Sequence, residues 1–482
     1  MESMETTAFI MPMSYVADKP AGRSVPYSRR LHCLRRHWVK LLALSLLAAI
    51  LVAWRALGAF RRGTGQAGAG PGGAQGPFIG VNLGGWLLIE DYLWAWELRE
   101  KNIPDEYTLT QSHGGPQDPR AVALITAHRE TFVTEEDLDR LQSFGVSHVR
   151  VPVGWWLVDY DPADGFVDGG ERYLFRLVKW LKRRGMRALL DLHALPGAQV
   201  ANQSFTGRVH PKAYFFLRRG NYERGKWAML KLAELILRYE AAAETSGVVM
   251  GMELINEPTW DHWDTSPGIR ELFEAMVPQL RRLLPADRFL LFLNFMESPR
   301  TLCSTWLATM RARDPLNYMG VVYDAHVYHS FGDDNKKGRE WDESMDSCKT
   351  CCRDRATLAP LVEDQLPIAI GEYSLNTGFP GNEKFYVSFI RNQLSIWANT
   401  PGVIGSFFWT HRVLREAGGW YKEMSLLELL KPHGAIPPAL QMNLSAPCPG
   451  LDLSRCPPFD PRTTLWNAEC TWGAGEGARG GR

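Results

Sequence analysis

The chain has 482 residues, 54 lysines and arginines against 53 acidic residues, a formal net charge of +1 and 45% apolar residues. This composition excludes a disordered or collagen-like chain, and the balanced charge offers nucleic acid no electrostatic footing. The length exceeds a minimal domain and suits one large α/β barrel with appendages.

Residues 1–37 are polar and increasingly basic, with Arg23, Arg29, Arg30, Arg35 and Arg36. They read as a disordered tail. An uncharged run from Leu41 to Trp54 follows, flanked by Lys40 and Arg55. It falls short of the ~20 residues that cross a bilayer. Snorkelling of the two basic side chains extends it to residues 38–60, which read as a membrane anchor. A cleaved signal peptide is the alternative, with Ala56-Leu57-Gly58 as small residues, but the preceding segment is far longer than an n-region. The basic excess before the anchor predicts a cytosolic N-terminus and a lumenal or extracellular remainder, a type II topology. Residues 61–76 open with Arg61-Arg62 and continue as a Gly-rich linker.

From residue 77 to about 430, apolar strand-like runs alternate with amphipathic stretches. The expected strands are Phe78–Asn82, His148–Val153, Arg187–His193, Val248–Ile255, Phe289–Asn294, Gly320–His326, Ile368–Glu372 and Val403–Trp409. Expected helices include Glu135–Phe144, with Thr134 as N-cap and Gly145 as stop, and Glu171–Arg184, Arg224–Glu240, Ile269–Leu284 and Asn382–Ala398. Eight such units predict a (β/α)8 TIM barrel. A doubly wound open sheet is the alternative.

Residues 431–482 form an irregular, Pro-rich extension with Cys448, Cys456 and Cys470 and a Gly-rich end. Eight cysteines occur in all, with Cys33 before the anchor and Cys303, Cys348, Cys351 and Cys352 within the barrel region. Their clustering in irregular segments predicts at least two disulfides that staple loops. A zinc site at Cys348-Lys-Thr-Cys351-Cys352 lacks a second pair or a nearby histidine. Asn202-Gln203-Ser204 and Asn443-Leu444-Ser445 are glycosylation sequons.

Two strands end in glutamates. Val248–Met252 runs into Glu253-Leu254-Ile255-Asn256-Glu257-Pro258, where the proline stops the strand. Leu366–Ile370 runs into Gly371-Glu372-Tyr373. The glutamates are far apart in sequence, and only the convergence of strand C-termini on one barrel face brings them together. Two facing carboxyls are what glycoside hydrolysis uses. The other strand ends carry Gly80-Val81-Asn82-Leu83-Gly84-Gly85-Trp86 with Glu90, then Arg150, Asp191-Leu192-His193, Asp324-Ala325-His326-Val327-Tyr328 and Phe408-Trp409. A buried arginine is expected only beside a carboxylate.

These motifs, with Thr131–Asp137 and Pro196-Gly197, resemble glycoside hydrolase family 5 over residues 77–430, and within it the exo-β-1,3-glucanase branch. The resemblance implies Glu257 as acid/base and Glu372 as nucleophile. It implies that Asn256 holds the sugar 2-hydroxyl, that His326 and Tyr328 orient the nucleophile and assist the acid/base, and that Arg150 supports Glu372. Glu90 and His193 would bind the non-reducing-end sugar, with Trp409 stacked beneath it. No metal or cofactor is required. The implied substrate is a β-glucan or β-glucoside; the apolar segment at residues 38–60 separately makes the membrane a second expected partner. Nothing in the sequence sets an oligomeric state.

The chain departs from the branch at Ala194–Phe205, where an acceptor-side loop differs, and at Thr410-His411, where the branch has a second tryptophan. Phe205 and Phe331 are candidates for an acceptor clamp. These departures bear on the linkage and the length of the substrate, so another β-linkage, a glucolipid or a short oligosaccharide is the alternative; transglycosylation would use the same residues, and glucan binding without catalysis would need neither glutamate.

Overall fold

The computed structural model describes residues 76–93, 102–295, 300–330, 341–379, 382–414, 420–430, 436–448 and 452–456. The tail, anchor and linker expected before residue 76 lie outside these residues, as do Phe331, Cys33 and Cys470. Among the described residues no helix is long and apolar enough to cross a membrane.

Eight parallel strands close into a barrel in chain order: β1 (Phe78–Asn82), β2 (His148–Gly154), β3 (Arg187–Ala194), β4 (Val249–Glu253), β5 (Leu290–Asn294), β6 (Val321–His326), β7 (Ile368–Tyr373) and β8 (Val403–Phe408). β8 pairs with β1, from Phe78 against Gly405 to Val81 against Phe408. A closed barrel leaves no strand edge, and it replaces the open-sheet alternative. β4 is shorter than its apolar run, because the chain leaves the ladder after Glu253 to form the Asn256–Pro258 turn.

Helices pack outside. Glu135–Phe144 is closed by a reciprocal capping box between Thr134 and Asp137 and ends at Gly145 in the left-handed region; each device satisfies orphan backbone groups. Glu171–Arg184 buries Leu174, Leu177, Val178 and Leu181 and stops at Gly185. The helix expected from Arg224 begins at Arg219, because Tyr222 on that first turn is buried and donates its hydroxyl to the Gly268 carbonyl. Among the helices that have no counterpart in the sequence reading are Glu106–Ser112 and Pro119–Thr131. Their buried faces include Glu106, Thr110, His128 and Arg129, so neither shows a plain apolar stripe.

Inside the barrel, alternation with period two sorts residues by height. Leu189, Met250, Phe292, Val322, Ala369 and Phe407 form one buried apolar cluster. Two residues further along β3, β5 and β6 the inward positions are Asp191, Asn294 and Asp324, all fully buried. One more step reaches His193 and His326, and the same step from Phe407 reaches Trp409. The barrel therefore has an apolar plug below and a charged layer above it.

The C-terminal extension is tied to the barrel. A π-helical turn, Cys348–Arg353, precedes the helix Asp354–Glu363. Cys351 is bonded to Cys448 and Cys352 to Cys456, and Cys348 is disulfide-bonded as well. The cysteine cluster is thus a disulfide staple and not a zinc site.

Candidate active site

Arg150 projects from β2 into the charged layer and is fully buried. Its Nε donates to Glu253 Oε2 at 2.8 Å. One terminal nitrogen donates to Asn82 Oδ1 at 2.9 Å and Glu372 Oε1 at 2.8 Å. The other reaches Asn256 Oδ1 at 2.7 Å and Asp191 Oδ2 at 3.0 Å. Four hydrogen bonds and the ion pair with Asp191 thus surround the guanidinium fork. That set joins β1, β2, β3, β4 and β7, so one side chain fixes the spacing of five elements around the mouth.

Glu372 lies near the end of β7. Besides Arg150 it accepts from the Tyr328 hydroxyl, at 2.7 Å on Oε2. Burial pushes its carboxyl above the ordinary value of 4.5, while His326 and Arg150 pull it back. Glu257 lies beyond the end of β4, and its side chain is more open, 17% exposed against 6% for Glu372. His326 Nδ1 is 2.7 Å from Glu257 Oε1 and 3.6 Å from Glu372 Oε2. One oxygen of each glutamate and the His326 nitrogen all lie within 4.8 Å of one another.

Glu257 has φ of +41°. A left-handed non-glycine residue costs on the order of 1–3 kcal/mol and persists only where its surroundings impose it. The restraint is Gln199, fully buried in the loop after β3. Its Nε2 donates to the carbonyls of His193 at 2.7 Å and Asn256 at 2.9 Å, and its own carbonyl accepts from Thr259 N at 3.1 Å. The turn carrying Glu257 is therefore clamped on both sides.

His193 Nδ1 donates to Asp191 Oδ2 at 2.5 Å. Burial pulls the ring's pKa down, but Asp191 and Glu90 outweigh it and leave it above 6.5. Trp409 stacks on His193 at 5.6 Å between centroids, and Phe205 meets the same ring edge-on at 5.4 Å. Trp409 needs Gly84 beneath it: a Cβ there would lie 2.7 Å from the indole. Glu90 is fully buried. Burial raises its carboxyl to about 8 against the pull of His193 and of a hydrogen bond from Tyr92.

The loop carrying Glu90 is held by two of the unforeseen helices. Ile89 N donates to Glu106 Oε2 at 2.9 Å, Trp86 Nε1 donates to the Arg129 carbonyl at 2.9 Å, and His128 Nε2 is 2.7 Å from the Gly85 carbonyl.

The nine residues singled out from the sequence thus converge on one mouth: Glu90, Arg150, His193, Asn256, Glu257, His326, Tyr328, Glu372 and Trp409. Asn82, Asp191, Gln199, Glu253, Asn294 and Asp324 were not assigned roles from the sequence. Asp191 and Asp324 were legible, because each stands two positions before a mouth histidine and period two puts it on the same face. Glu253 and Gln199 follow no such pattern.

Comparison with known proteins agrees with this geometry. The family model for cellulase (glycosyl hydrolase family 5) matches residues 120–400. A probable glucan 1,3-beta-glucosidase A from Neosartorya fischeri is 29% identical over 258 residues, 52% of this chain and 56% of that protein. One of the same description from Aspergillus terreus is 27% identical over 372 residues, 71% of this chain and 84% of its own. The chain thus spans about half the length of the first of these relatives. The crystal structure of a rutinosidase from Aspergillus niger shares the fold, with a TM-score of 0.55 at 18% identity, covering 70% of this chain and 90% of that one.

Proposed function

The chain belongs to glycosyl hydrolase family 5, and we propose that it is a retaining β-glucosidase or β-glucanase, exo-acting on β-1,3-glucan. The observation that carries the reading is the close approach of Glu257 and Glu372, with one oxygen of each within 4.8 Å. Retaining enzymes hold their carboxyls about 5–5.5 Å apart and inverting ones about 6.5–9.5 Å, which leaves room for a water.

The two glutamates have partners suited to different tasks. Glu372, held by Arg150 and Tyr328, attacks the anomeric carbon and forms a covalent glycosyl ester. Glu257 gives its proton to the departing glycosidic oxygen. Water then attacks the ester carbon, Glu257 takes the water proton, and Glu372 leaves as a carboxylate. Glu90 and His193, with Trp409 beneath them, accept the hydroxyls of the non-reducing-end sugar. Asn256 meets the 2-hydroxyl.

A second reading, with a different linkage or a sugar acceptor in place of water, draws on the loop Ala194–Phe205, whose Phe205 packs against His193. The test is product analysis of the purified protein on β-1,3-glucan, β-1,6-glucan and an aryl β-glucoside. Glucose released from the first and third supports the main reading. Products longer than the substrate make it a transglycosylase, and no turnover of any of them overturns it.

The catalytic domain is proposed to span residues 77–430, behind a cytosolic tail, an anchor at 38–60 and a linker at 61–76, with residues 431–482 as an extension. The disulfides of the extension suit an oxidising compartment. Both sequon asparagines, Asn202 and Asn443, are exposed, as lumenal glycosylation requires.

A further inference from the structure

We propose that Asp324 is a positioning residue that keeps His326 doubly protonated, so that an imidazolium and not a neutral ring stands between Glu257 and Glu372. The inference deepens the glycosidase reading and rests on it for its kinetic test alone.

His326 is buried, and both of its ring nitrogens face carboxyls. Nδ1 is 2.7 Å from Glu257 Oε1 and 3.6 Å from Glu372 Oε2. Nε2 is 3.4 Å from Asp324 Oδ2. An ionised carboxylate only accepts hydrogen bonds, and a neutral imidazole has a single N–H. A neutral ring would therefore turn one lone pair toward an ionised carboxylate, either Asp324 or, beside Nδ1, whichever of Glu372 and Glu257 carries the charge at that stage. The imidazolium carries a proton on each side, in a hydrogen bond with Glu257 and in an ion pair with Asp324.

Asp324 is built into place. Its Oδ2 also accepts from Asn294 Nδ2 at 3.2 Å. Its carboxylate lies against the β7 backbone, where a Cβ at Gly371 would be 2.2 Å from Oδ1. A glycine immediately before the proposed nucleophile thus makes room for the anion. Among the described residues, the titratable and charged groups around the ring are Asp324 on its own strand, Glu253 from β4, which burial holds well above 4.5, Glu257 from the turn beyond it, Glu372 from β7 and Arg150 from β2. Four carboxyls face one guanidinium. Burial pulls the ring down, but Glu372, Asp324 and Glu257 outweigh it and leave it well above 6.5. Burial pushes Asp324 up, and His326 and Arg150 reverse that and leave it low.

The imidazolium has a use in the reaction. Before attack the negative charge is on Glu372. In the glycosyl ester it has moved to Glu257, which has given up its proton. A fixed positive charge within reach of both sees one anion at either stage, so the transfer needs no reorganisation of the site.

The full-length chain, labelled with 15N in histidine, tests the protonation directly. The His326 signal, assigned by its loss in His326→Gln, is expected to show two protonated nitrogens above pH 6.5. A singly protonated ring there overturns the proposal, and this measurement on the wild type needs neither activity nor a folded Asp324 variant. In Asp324→Asn the ring is expected to carry one proton at the same pH. The sign of the pH profile gives a second test. Removing Asp324 beside a neutral ring would only delete a negative charge, moving both limbs of kcat/KM on an aryl β-glucoside downward. If the imidazolium proton leaves with it, the nearer positive charge is lost, and both limbs move up by about one pH unit. Limbs that move down or stay in place overturn the proposal. A wild type that does not turn over the glucoside counts against the glycosidase reading, and the 15N measurement still decides this one.

Discussion

The two proposed catalytic glutamates differ in what surrounds them. Glu372 is held at both oxygens, by Arg150 and Tyr328, while Glu257 is half-open and faces the His326 ring. An anchored carboxylate suits attack at a fixed carbon, and a more open one suits proton exchange with leaving groups and water. Glu372→Ala is therefore expected to lose turnover on every substrate. Glu257→Ala is expected to lose most on poor leaving groups and to retain an activated aryl glucoside. Added azide separates the roles: Glu257→Ala gives the β-glucosyl azide and Glu372→Ala the α-azide, as read by NMR of the products. The α-azide from Glu257→Ala would reverse the assignment. Strand-end motifs made both residues visible in the sequence, since a proline or an apolar run marks where each strand stops. Glu253 was not visible, because its meaning comes from a guanidinium 103 positions earlier in the chain. Gln199 was hidden for a similar reason: it acts on the backbone of another loop, and a side chain that binds backbone leaves no pattern in residue types.

At the level of elements, the strands were readable from their apolar runs, and their limits fall within two residues of those expected. The helices Glu106–Ser112 and Pro119–Thr131 were not, because their buried faces mix apolar residues such as Leu109 and Ile125 with Glu106, Thr110, His128 and Arg129. The π-helical turn Cys348–Arg353 was equally silent. It links the extension to the site. Arg353, its last residue, donates to the Tyr328 carbonyl at 2.9 Å and lies 3.0 Å from His329 Nε2, and Tyr328 holds Glu372. The two disulfides fix this turn to residues 448 and 456. Peptide mapping without reduction is expected to recover Cys351–Cys448 and Cys352–Cys456. Replacing Cys351 and Cys448 together by serine is expected to cost about 2–5 kcal/mol. It should also lower kcat, because the turn that positions Tyr328 is released. Unchanged kcat in the folded variant would show that the staple serves stability alone.

The whole molecule carries buried titratable groups whose effects on stability oppose one another. Burial raises Glu90 to about 8 and Glu106 and Glu423 to about 7, from an ordinary 4.5. Between 4.5 and those values the native state holds protons that the unfolded chain has released, so each carboxyl lowers stability as pH rises. Burial lowers His128, His329 and His411 to about 4 from 6.5. Between those values the unfolded chain binds the protons, and stability rises with pH. Below pH 6.5 the two sets offset each other. Above it those three histidines are neutral in both states, and the carboxyls act together with His193 and His326, whose raised pKa values also make stability fall as pH rises. Tm is therefore expected to fall between pH 6.5 and 8, on the order of a few degrees, as followed by calorimetry at constant ionic strength. A Tm that rises across that window would mean that these carboxyls ionise freely in the native protein. The same buried layer sets the geometry on which the account turns, a short gap between Glu257 and Glu372 that leaves room for a covalent ester. The most direct measurement is the anomer first released from an aryl β-glucoside, followed by proton NMR before mutarotation. The account predicts the β-anomer of glucose, and an initial α-anomer would contradict it.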